Sequence, residues 1–103
     1  MSLRPATGVR YCVERDPAHD SPGEVVYRGF VHLPDADLPM EVRVALPAGA
    51  TRATLTGAGE ARPDLEKAAA ALVRTATKPA VAAGTSLPRR IVRWRDARSD
   101  HAG

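Results

Sequence analysis

The sequence predicts an α+β domain: an antiparallel sheet of about four to five strands, arranged as a meander, with one main helix packed on one face. Two patterns predict it. Apolar residues alternate with a period of two in segments up to residue 56, and from residue 65 to residue 76 they recur at helical spacing. Length adds a third indication. At 103 residues and 44% apolar content, residues 1–103 suit one small domain that needs no disulfide or metal to fold, with flexible ends at about 1–7 and 97–103.

Gly8 to Glu14 forms the first predicted strand. Val9, Tyr11 and Val13 point one way; Arg10, Cys12 and Glu14 point the other. Arg15 to Gly23 is charged, carries Pro17, Pro22 and Gly23, and reads as a loop. Glu24 to Leu33 is the second strand. Val25, Tyr27, Val31 and Leu33 share one face; Val26, Arg28, Phe30 and His32 share the other. Both faces hold apolar side chains, as in a central strand. Gly29 marks a bulge or a close approach by a neighbour. After the turn Pro34–Asp37, Met40 to Leu46 alternates cleanly and pairs back as a hairpin. Thr51 to Thr56 is a shorter and more polar fourth strand.

Pro63 to Lys78 is the predicted helix. Pro63 suits its first turn, where a missing N–H costs nothing. Asp64 and Glu66 lie at the positive end of the dipole; Arg74 and Lys78 lie at the negative end. Leu65, Ala69, Leu72, Val73 and Ala76 form the buried stripe, and Pro79 is the expected stop. The outer face holds Ala68, Ala70 and Ala71, which suit either simple helix propensity or a second contact surface. Arg89 to Arg95 is the last strand, returning to this sheet or to a second copy's. Arg90, Val92 and Trp94 share one face; Ile91, Arg93 and Arg95 share the other.

Charge is unevenly placed. Residues 1–50 carry −2 and residues 51–103 carry +5 of the net +3. Between positions 86 and 98 there are five arginines and one acid, Asp96. Arg89, Arg90, Arg93, Trp94 and Arg95 are therefore the candidate residues for binding a polyanion or a partner. Arginines beside an aromatic can pair with phosphates and stack on a base. The competing reading is a solvated edge strand with Trp94 as a core anchor.

Catalytic patterns are weak. Gly57-Ala-Gly59 precedes the helix, but Arg62 stands where a third glycine would, and Pro63 removes a donor. Cys12, His19 and His32 have no metal-ligand spacing. Asp35, Asp37 and Glu41 lack the glycine and the third ligand of a calcium loop, and Pro39 interrupts them. No Gly-x-Ser-x-Gly elbow occurs. No catalytic, cofactor-binding or metal residues are assigned, and no cofactor is expected. The expectation is a non-enzymatic protein-interaction or adaptor module that can self-associate. The alternative is a nucleic-acid-binding domain using segment 86–98. The lone Cys12, the absence of an apolar leader and a longest apolar run of Ala68 to Val73 point to the cytoplasm and to no membrane partner.

Overall fold

The computed structural model describes residues 8–34, 36–56 and 62–95. Five strands form one antiparallel sheet: β1 (Val9–Arg15), β2 (Glu24–His32), β3 (Asp37–Ala45), β4 (Thr51–Leu55) and β5 (Arg90–Arg95). Their order across the sheet is β4-β3-β2-β1-β5. A single 3₁₀ turn, Pro17–His19, sits between β1 and β2. The helix α1 (Pro63–Ala83) links β4 at one edge to β5 at the other. Four strand spacings are about 19 Å, and 21 helical residues span about 32 Å, so the helix can cross the sheet diagonally.

The expected α+β fold is present, and β5 returns to its own sheet beside β1. The core lies between sheet and helix. Tyr11 and Val13, Val25, Tyr27 and Val31, Met40, Val42 and Val44, Ala53 and Ile91 meet Leu65, Ala69 and Val73 of α1. α1 packs chiefly on β4, and Glu66 ties it there by accepting the Leu55 N–H at 2.9 Å. Thr77 extends the buried stripe. Its hydroxyl donates to the Val73 carbonyl at 2.9 Å, so a polar residue enters the core satisfied.

Three local readings need correction, each for a physical reason. Pro79 does not stop the helix, which runs to Ala83. Proline costs α1 one hydrogen bond, but Pro79 is exposed while Ala80 and Val81 pack against the core. The true stop is Gly84, left-handed at φ 68°, whose N–H bonds the Ala80 and Val81 carbonyls. The last turn therefore carries no basic residue. β3 starts at Asp37 rather than Met40 and includes Pro39. Thr56 N–H bonds the Pro39 carbonyl, so the missing proline N–H faces the side where β4 ends, and the β2 ladder is untouched. His32, read as a partly exposed strand position, is buried at 5% exposure, because Phe30 stacks on its ring and Asp37 bonds its Nδ1.

Gly29 marks a close approach. A Cβ placed there would overlap the Cys12 carbonyl. On the core side, Tyr27 is fully buried and its hydroxyl donates to the Pro88 carbonyl at 2.6 Å. That bond anchors the connector just before β5.

Candidate binding face of the sheet

α1 packs on one face of the sheet; no described α-helix packs on the other, although Val26 and His32 are buried there. Directly paired residues of an antiparallel ladder point to the same side, so the register defines the uncovered face row by row. One row runs Trp94, Arg10, His32, Asp37. The next runs Val92, Cys12, Phe30, Pro39, and the third runs Arg90, Glu14, Arg28, Glu41, Thr54.

Among the described residues the two large exposed apolar side chains, Trp94 at 62% and Phe30 at 45%, both stand on this face. The Arg10 guanidinium lies 5.5 Å from the Trp94 ring centroid, within reach of a cation–π contact. Phe30 stacks on His32 with centroids 5.7 Å apart. His32 Nδ1 lies 2.8 Å from Asp37 Oδ1, so the ring is fixed in place. Beside Phe30 a depression of about 440 Å³ is lined by Arg28, Gly29, Pro39 and Glu41.

The β2–β3 part of the face is a carpet of ion pairs. Arg43 pairs with Glu24 and Glu41, each at 2.7 Å. Arg28 pairs with Glu41 at 3.0 Å and Asp16 at 3.2 Å, and His19 Nδ1 lies 2.7 Å from Asp16. Hydrogen bonding by Glu24, then by Glu41, raises the Arg43 pKa and holds its charge. Nearby, the Val26 N–H donates to Asp20 at 2.8 Å, and Arg15 adds an ion pair at 2.7 Å. Those two partners, the backbone N–H first, hold the Asp20 carboxyl below its ordinary pKa. Exposed pairs of this kind contribute roughly 0–1 kcal/mol each. Their main effect is a face bearing both signs.

The five candidate residues from the sequence are split. Arg90 and Trp94 reach the uncovered face, with Arg10 of β1 beside them. Arg93 and Arg95 are opposite Tyr11 and Val9, on the helix side, and Arg89 precedes the strand. Arg10 and Phe30 were missed as site residues, because alternation shows which residues share a face but not which face the helix covers. Cys12 is opposite Phe30 and Val92, and Arg90 Nη2 lies 3.8 Å from its sulfur. His19 sits in the 3₁₀ turn, away from the Cys12 row. Among the described residues no three His, Cys, Asp or Glu side chains come together as a metal site. Asp35 and Gly57 to Ala61 lie outside the described residues, as do the chain ends. No described helix is long and apolar enough to cross a membrane.

Compared with family models, curated proteins and solved structures, the chain matches none.

Proposed function

We propose that this chain is a non-catalytic protein-interaction module that pairs with a second copy of itself through the uncovered face of its sheet. The observation that carries this reading is the joint exposure of Trp94 and Phe30 on one face, with Arg10 beside Trp94. Tryptophan and arginine are the residue types that most often dominate binding energy. The surrounding charges support a second copy as the partner. Arg28, Arg43 and Arg90 share the face with Glu14, Glu41 and Asp37, so two copies can oppose plus to minus across a two-fold axis.

Size is also consistent. Five strands at about 4.8 Å spacing and six residues at about 3.4 Å make a face of about 24 by 20 Å. Two such faces bury on the order of 1,000 Å², the lower end for a specific interface. Trp94 and Phe30 leave about 250 Å² of side-chain area exposed per copy, worth about 6 kcal/mol if buried. Association itself costs roughly 4–15 kcal/mol, so the dimer dissociates on dilution. Splaying of Arg89, Arg90, Arg93 and Arg95 over two faces disfavours the nucleic-acid alternative, which needs them on one track.

Sedimentation velocity across micromolar to millimolar concentrations tests the reading. The wild-type chain should pass from monomer to dimer, and a Trp94→Ala, Phe30→Ser double variant should stay monomeric with unchanged circular dichroism. A wild-type chain that remains monomeric throughout that range overturns it.

A further inference from the structure

The two sheet edges differ. In an antiparallel ladder only alternate residues bond to a given neighbour. At the β4 edge, the outward Leu55 N–H is taken by Glu66 of α1. At the other edge, the Arg15 N–H donates to the Arg89 carbonyl at 2.8 Å, which sets the parity of β5. Ile91, Arg93 and Arg95 exchange bonds with β1, so Arg90, Val92 and Trp94 turn their N–H and C=O groups outward. Among the described residues no strand lies beyond β5. The outward Val92 carbonyl accepts instead from the Arg93 guanidinium, Nη1 at 2.8 Å. A charged side chain stands where a neighbouring strand's N–H would be.

We propose that the outer edge of β5 takes an extended acidic peptide strand, which completes the ladder at Arg90, Val92 and Trp94 and releases Arg93 to pair with a carboxylate. Charge selects the occupant. Arg89, Arg90, Arg93 and Arg95 are all exposed, and among the described residues their one ion pair is loose, Arg90 Nε to Glu14 at 3.8 Å. A second β5 is a poor occupant, because pairing two copies would set eight arginines along one strip. A phosphate backbone could meet the guanidinium groups but not the alternating N–H and C=O groups. A peptide strand meets both, since its side chains alternate between the same two faces as Arg90 and Arg93. This edge lies in the plane of the sheet, so the inference stands apart from face-to-face pairing.

Amide hydrogen exchange read by NMR, with a synthetic peptide of about seven alternating glutamates and valines, tests it. In the free protein the Arg90, Val92 and Trp94 amides should exchange freely. At saturating peptide they should slow about tenfold or more, with Ile91 and Arg93 little changed. An Arg93→Glu, Arg95→Glu variant should weaken binding about tenfold or more. Should that variant disturb β5, the wild-type protein with an N-methylated peptide gives an independent control, in which protection should be lost. Four results overturn the proposal: no slowing with the glutamate peptide, equal slowing with a lysine–valine peptide, protection of those amides already in the free protein, or displacement of the peptide by single-stranded oligothymidylate.

Discussion

Tyr27→Phe removes one oxygen from a fully buried ring and tests how β5 is held. The Tyr27 hydroxyl donates to the Pro88 carbonyl at 2.6 Å, two residues before β5 begins. A buried hydrogen bond contributes about 1 kcal/mol net, and an acceptor left unpaired adds about 1–3 kcal/mol. Pro88 is half-buried, so water recovers part of that, and the expected loss is about 1.5–2.5 kcal/mol. In a domain of this length such a loss lowers Tm by roughly 6–15 °C. Alkaline titration supplies a second readout. Burial pushes the Tyr27 phenol up to about 12 from its ordinary 10. The folded state therefore favours the neutral phenol. That stability is complete below pH 10 and falls as pH rises from 10 towards 12. Urea unfolding of both proteins at pH 7 and across pH 10–12 measures both effects. The variant should be weaker at pH 7 and should lack the Tyr27 share of the alkaline loss. Equal stability at pH 7 together with the same alkaline decline as wild type would refute the assigned anchor.

Gly29→Ala should destabilise the fold by about 1–3 kcal/mol in urea, because the new methyl overlaps the Cys12 carbonyl; an unchanged midpoint would contradict that close approach. Asp20 has a lowered pKa through the Val26 N–H and Arg15, so its contribution is present above about pH 4 and is lost as pH falls further. Asp20→Asn should be less stable than wild type at pH 7, with the gap closing in acid, measured by denaturation at pH 7 and pH 2–4.

The sheet and its helix were legible because burial leaves a period. Tyr11 and Val13, Met40, Val42 and Val44, and the stripe through Leu65, Ala69 and Val73 all repeat at the spacing of their element and all reach the core. The prolines were harder to read, since their effect depends on where the missing N–H points. Pro79 is exposed, and Pro39 turns its nitrogen toward the end of β4. The binding face was legible only in part. Alternation grouped Arg90 with Trp94, and Ile91 with Arg93 and Arg95. The assignment of Ile91 to the core and Trp94 to solvent follows from the pairing of β5 with β1, opposite Val13 and Arg10. That pairing joins residues some 80 positions apart, and no local pattern encodes it.

Trp94 is the chain's single tryptophan, so its fluorescence reports directly on the proposed contact face. As protein concentration rises into the high micromolar range, its emission should shift to the blue and iodide quenching should fall, following the dimer fraction. Emission and quenching that stay constant over the same range, with Trp94 as open to iodide at the highest concentration as at the lowest, would contradict the account.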